Sequence, residues 1–416
     1  MTPEHRPAAL GVSIVAGLLF VGLAAWLVPW DPAPGGDLTP ADPAAYFGPE
    51  HLARAETFTT WSRVWSWSSL AVSLLVACWF GFTRRGRALV ARVQRGPWWL
   101  QVVAAVTFLD LVGRLLTLPF GIRQRLHLRE YGLSVQSWGG YVADLVKGEL
   151  LDIVVVSLAL VAVMACARRW RRAWPVIAAG VAATLVMLGS FVYPLVVEPL
   201  FSSFTDLPDG ALRDGVLALA EEEGVDVDEV LVSDASRRTT TFNAYVSGFG
   251  ETRRVVLYDT LVDELPQAQA LTVVAHELAH ARHDDVLVGS VLGASGAAFG
   301  VGLLGLVLGG RRRATMLGDP ASVPVVLALV ALATFLASPV QNTISRHIEL
   351  RADVDALRAT EDPETFIDMQ VQLMTRSLAD PTPWAPSQLW FGSHPTGWTR
   401  IALAQRLAAE GAGAQE

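Results

Sequence analysis

The stretch Ala275-His276-Glu277-Leu278-Ala279-His280 carries the pattern H-E-x-x-H. On a helix, positions four apart lie on one face, so His276 and His280 can grip a single metal ion between two imidazoles. Glu277 lies beside them, placed to take a proton from a water that the metal activates. Pro266 reads as the first residue of this helix, where a missing N–H costs nothing.

The rest of the chain has the composition of a membrane protein. Of 416 residues, 52% are hydrophobic and only 17% charged, and the mean hydropathy is +0.39. A soluble chain of this size rarely combines those values. Tryptophans at the ends of apolar runs (Trp30, Trp98, Trp99, Trp174) fit an interfacial belt. No basic block points to nucleic acid as a partner; the bilayer and a peptide or protein substrate are the partners expected. Cys78 and Cys166 are too few for a disulfide framework or a thiolate metal site.

Seven apolar runs are long enough to cross a bilayer: 8–30, 65–82, 98–122, 150–167, 174–197, 286–310 and 323–340. The first reads as a signal anchor, being too long for a typical leader core and followed by further spans. Residues 31–64 read as an extended loop. Asp110 and Arg114, four apart in the third run, are expected to pair on one helix face, either lining a polar cavity or as a structural ion pair. Beyond the fifth run the composition turns soluble. There 209–223 reads as a helix and 229–233, 240–247 and 254–258 as strands, with Gly248 and Gly250 at a hairpin turn. A sheet edge just before the motif helix matters, because proteases of this sort bind substrate as an added strand. The expected division is a membrane region (1–197), a soluble protease part (198–285), two more spans (286–340) and a C-terminal helical part (341–416).

Zinc in a hydrolase normally has three protein ligands and one open position. The sixth and seventh runs hold neither acid nor histidine, so the third ligand is sought beyond them. In Ser345-Arg346-His347-Ile348-Glu349-Leu350-Arg351-Ala352-Asp353, Glu349 and Asp353 share a helix face, and His347 points elsewhere. One carboxylate can hold the metal while the other orients a ligand histidine. Two spans separate this segment from the motif helix, so both lie on the same side of the membrane.

With these pieces in place the sequence resembles the integral-membrane zinc metalloproteases of the type I CaaX prenyl endopeptidase family; the HtpX-type quality-control proteases are more distant kin. The likeness runs through Glu130-Tyr131-Gly132-Leu133-Ser134 with Lys147, Glu198-Pro199-Leu200-Phe201, Asn243-Ala244-Tyr245-Val246-Ser247-Gly248 and 253–260. It continues through His276 to His280, Ser345-Arg346 to Asp353, and Ser393-His394-Pro395 with Arg400. The resemblance implies a mainly α multi-pass membrane protein of about seven transmembrane helices with an inserted α+β, gluzincin-like zinc protease domain. It implies one Zn2+ held by His276, His280 and Glu349, Glu277 as general base, and Asp353 as partner of a ligand histidine. His394 and Arg400 are expected to return to the catalytic centre and stabilise the oxyanion, and Asn243 and Ala244 to lie on a substrate-binding edge strand.

The short loops after the second, fourth and sixth spans are rich in arginine, which the positive-inside rule places in the cytoplasm and the zinc site outside the cell membrane. The eukaryotic family members face the other way. An HtpX-like quality-control protease is the alternative within this class. A non-catalytic scaffold or transporter of the same fold is the alternative outside it, and such a protein has no need of Glu277.

Overall fold

The computed structural model of the chain describes residues 4–248, 250, 253–308 and 316–413. The membrane half contains α1 (Arg6–Leu27), α2 (Pro49–Phe82), α3 (Arg84–Ala91), α4 (Trp98–Glu130), α5 (Trp138–Arg169) and α6 (Trp174–Val192). A π-helical turn, Tyr193–Val197, carries α6 into α7 (Glu198–Phe201); Pro194 and Pro199 withhold the N–H groups that a regular ladder needs. Next come β1 (Phe204–Asp206), α8 (Ala211–Glu222), β2 (Glu229–Ser233), β3 (Ala244–Ser247), β4 (Arg254–Tyr258) and α9 (Asp259–Glu264). The motif helix α10 (Gln267–Arg282) leads into α11 (Asp285–Val307), α12 (Val323–Thr360), α13 (Pro363–Ser377), α14 (Ala385–Phe391) and α15 (Gly397–Gly413).

Among the described residues seven helices are long and apolar enough to span a membrane: α1, α2, α4, α5, α6 with its continuation, α11 and α12. Their outward faces expose large apolar side chains such as Leu18, Leu115, Leu158 and Leu336, and a helix satisfies its own backbone groups in hydrocarbon. α1 crosses α11 tightly, since a Cβ on Gly305 would lie 2.7 Å from the Ala9 Cβ. Only glycine permits that approach.

Four contacts gather one end of the bundle. His5 Nε2 lies 3.0 Å from the Leu308 carbonyl, and Arg172 pairs with Glu4 at 2.9 Å. Arg168 donates to the Gly318 carbonyl at 2.8 Å and Gln94 to that of Pro320 at 2.7 Å. The N-terminal end and the links after α2, α5 and α11 therefore share one side, as seven spans require. Arg311, Arg312 and Arg313, expected to close the sixth span, lie outside the described residues.

The helices outrun the apolar stretches that announced them. α2 starts at Pro49, so the loop expected over 31–64 is helical from there on. α4 and α5 likewise shorten the polar link between them to 131–137. Apolarity marks where a helix meets lipid, whereas its ends are set by caps: proline at the start of α2, and Ser137 accepting from the Gly140 N–H at the start of α5. Pro266 is likewise the N-cap of α10, one residue before the helix proper. Asp110 and Arg114 do not form the expected pair. Arg114 reaches across to α5, where its Nε lies 2.5 Å from Glu149 Oε2, so the bond joins two helices and neutralises a buried carboxylate.

The sheet order is β1-β2-β4-β3, with β2 and β4 parallel and the outer pairs antiparallel. β1 has three residues, too few for an alternation to show. β3 begins at Ala244, later than the strand expected over 240–247. Upstream the chain is tied elsewhere: Thr239 bridges to Ser134, and the Thr239 and Thr240 hydroxyls donate to the Leu133 and Gly132 carbonyls. One core joins these layers, with Val216, Val255, Leu257, Leu261, Val274, Leu278, Ala356, Phe366 and Leu403 packed together. α12 runs unbroken from the membrane into this core. At about 1.5 Å per residue, Glu349 lies about 14 Å along the helix from Val340.

Candidate active site

α10 is buried nearly all round, with Ala270, Val274, Ala275 and Leu278 in the core, so its two histidines are held by packing before any metal arrives. The His276 and His280 rings stand almost perpendicular, with their Nε2 atoms 3.2 Å apart. From α12, Glu349 places Oε2 at 3.2 Å from His276 Nε2 and Oε1 at 3.5 Å from His280 Nε2. The ligand atoms of these three residues all fall within 4.8 Å of one another.

Each imidazole is fixed from behind. Asp353 Oδ1 lies 3.0 Å from His276 Nδ1, and Asp285 Oδ2 lies 2.9 Å from His280 Nδ1. A carboxylate at Nδ1 keeps the proton there and frees Nε2 as a lone-pair donor. Asp353 is itself gripped by Arg400 and Asp285 by Arg351.

The donor set fits a divalent cation. Glu277, Glu349, Asp353 and Asp285 bring four carboxylates against two guanidiniums, Arg400 and Arg351, an imbalance of two negative charges that a divalent ion cancels. Glu349 Oε2 is buried without a hydrogen-bond partner. Glu349 and Asp353 face the two ring nitrogens of His276, so negative charge lines the pocket on both sides of the imidazole. Two nitrogens and one carboxylate oxygen are a donor set that zinc favours. Glu277, next to His276 on α10, is half-buried, and burial raises its carboxyl above the ordinary value.

His394, between α14 and α15, brings Nε2 to 3.4 Å from Glu349 Oε1 while its side chain stays 62% exposed. Its ring Nδ1 lies 2.9 Å from Ser393 Oγ. The loop that carries it is anchored: Gln388 donates to the His394 carbonyl at 2.7 Å, and Arg346 donates to the Gly392 carbonyl at 2.7 Å. Arg400 does not face the open side. Its Nη2 lies 3.3 Å from His276 Nδ1, and its remaining bonds go to Asp353, so it stands behind the histidine, on the side away from Nε2. Asn243 is exposed and its carbonyl accepts from the Tyr258 N–H at 3.0 Å; Ala244 is buried at the start of β3. β3 pairs only with β4 among the described residues and packs against α10.

Asp285, Arg351, Arg346 and Gln388 escape the reading of the sequence. Asp285 carries a signal, an acid five residues past the second histidine. Arg351 sits between the two carboxylates that drew attention and shares neither one's spacing.

A family model described as peptidase family M48 matches residues 206–408, and one described as CAAX prenyl protease N-terminal, five membrane helices, matches 50–203. The chain belongs to the M48 family, in its type I CaaX prenyl endopeptidase branch. An uncharacterized metalloprotease of Bacillus subtilis, YhfN, is 26% identical over 88% of this chain and 88% of its own. A CAAX prenyl protease 1 homolog of Oryza sativa is 29% identical over 44% of this chain, less than half of its own length at 43%. The crystal structure of S. mikatae Ste24p shares the fold, with a TM-score of 0.78 at 17% identity over 95% of this chain and 98% of that one. As an M48 member the protein is a zinc metalloendopeptidase of the membrane, and the cluster of His276, His280 and Glu349 fits its zinc.

Proposed function

We propose that His276, His280 and Glu349 hold the zinc, that Glu277 is the general base, and that β3 receives the substrate as an added strand. The observation that carries this is the convergence of the two Nε2 atoms and the Glu349 carboxylate from α10 and α12, with Glu277 alongside. Zinc, when bound, supplies Lewis acidity that polarises the peptide carbonyl and lowers the pKa of an attacking water to roughly 7. Glu277 takes the proton of that water and passes it to the leaving amine; a carboxyl raised by burial is suited to both tasks. His394 donates from Nε2 to the carbonyl oxygen as it gains charge. Asp353 and Arg400 keep His276 in its productive orientation.

The substrate is a peptide segment in extended form at the membrane surface, given the membrane helix that delivers Glu349. The names of the plant relatives extend this to prenylated CaaX sequences as the substrate class. The arginines of α3 and of the α5–α6 link mark the cytoplasmic side, and the zinc site faces away from it.

Zinc content and peptide cleavage of the wild type and Glu277→Gln decide the matter. Both proteins are expected to carry one zinc and only the wild type to cleave. Cleavage by Glu277→Gln, or a wild type without stoichiometric zinc, defeats the proposal.

A further inference from the structure

We propose that Asp285 and Arg351 form a second positioning pair, one that sets the orientation of His280 and with it the grip on zinc. This rests on the zinc reading above and extends it to two residues with no role there. Asp285 Oδ2 stands 2.9 Å from His280 Nδ1, while its Oδ1 is bonded by Arg351 Nη2. The Asp285 side chain is 8% exposed, so its charge is sheltered from water and its bonds are worth more than surface ones.

The chain is folded to make this contact. Asp284 takes φ 52, a left-handed conformation that aspartate tolerates better than most residues. The reversal there ends α10 and starts α11, so that Asp285, five residues after His280, turns back onto its ring. Asp284 itself points away and pairs with Arg253 at 2.5 Å. Arg351 comes from α12, two residues after Glu349. The pair thus ties the second zinc histidine to the first turn of one membrane helix and to the helix that supplies the third ligand. It repeats on His280 what Arg400 and Asp353 do on His276. A histidine whose Nδ1 loses its acceptor can rotate or exchange tautomer, and loss of such a partner typically weakens metal binding about 10- to 100-fold.

The test uses the full chain in detergent, with zinc retention measured against a graded series of chelator and thermal unfolding followed with zinc and in excess chelator. Asp285→Ala is expected to bind zinc about 10- to 100-fold more weakly. Asp285→Asn, which still accepts from Nδ1 but carries no charge, is expected to fall between it and the wild type, as is Arg351→Gln. Asp284→Asn, next door but out of reach of His280, is expected to match the wild type. The zinc-dependent increment in Tm should shrink in the same order, since a ligand stabilises in proportion to the logarithm of its affinity. If Asp285→Ala fails to fold, Asp285→Asn and Arg351→Gln carry the comparison. Wild-type zinc affinity in the Asp285 variants overturns the inference, even where Tm falls equally with and without zinc. A wild type that holds no zinc overturns the proposed function itself, and this inference with it.

Discussion

Arg400 Nε lies 2.8 and 3.0 Å from the two carboxylate oxygens of Asp353, a side chain with no exposed surface that faces His276 at 3.0 Å. Removing one partner of a buried pair leaves an uncompensated charge and costs about 3–5 kcal/mol, whereas replacing both with apolar side chains is often tolerated. Arg400→Met and Asp353→Leu are each expected to lower the unfolding midpoint sharply, and the double variant to recover part of the loss. Zinc retention should stay low in Asp353→Leu and in the double variant, because His276 has lost its acceptor in both. A double variant no more stable than the worse single one would show that the two residues act separately.

His394 reaches the edge of the site through a loop held by Arg346 and Gln388 and makes no contact with the backs of the histidines. His394→Ala is therefore expected to keep its zinc and its KM while kcat falls by about 10²- to 10³-fold, the usual consequence of losing a donor to a developing oxyanion. Steady-state kinetics beside zinc analysis check this. Loss of zinc in proportion to activity would move His394 from the reaction to the metal.

The free side of β3 makes a separate prediction. The Asn243 carbonyl bonds the Tyr258 N–H, and pairs in an antiparallel ladder alternate, so the backbone groups of Ala244 and Val246 point to the open edge. Proline is tolerated on an edge strand where its N–H would face outward. Val246→Pro is expected to raise KM about 5-fold, the loss of one hydrogen bond of about 1 kcal/mol, with little change in Tm. An unchanged KM would place the substrate elsewhere.

The sequence was most legible where chemistry repeats at helical spacing. His276 with His280, and Glu349 with Asp353, could be found because residues four apart on a helix must share a face, and the structure brings these four together. Seven membrane helices were legible from apolar length. What stayed hidden depended on contacts between elements. Arg114 pairs with Glu149 on another helix, a contact that spacing along its own helix does not report. Arg400 went behind His276, and Asp285 found His280 through a left-handed turn that no periodicity reports. The extension of α2 back to Pro49 was missed because its first turns leave the apolar run while keeping helix-forming residues.

The side faced by the zinc site follows from charge and can be read by labelling. α3 carries Arg84, Arg85 and Arg87, and the α5–α6 link carries Arg171 and Arg172, on the end of the bundle opposite α10. Cationic loops are retained in the cytoplasm, so this end should face inward. Ala88 is exposed on α3 and lies among these arginines. In a chain with Cys78 and Cys166 replaced by serine, Ala88→Cys is expected to resist an impermeant thiol reagent in intact cells and to react once the membrane is opened. A cysteine at Asn243, exposed beside β3, should show the reverse. Labelling of Ala88→Cys from outside would turn the molecule over and put the protease site in the cytoplasm, while leaving its chemistry untouched.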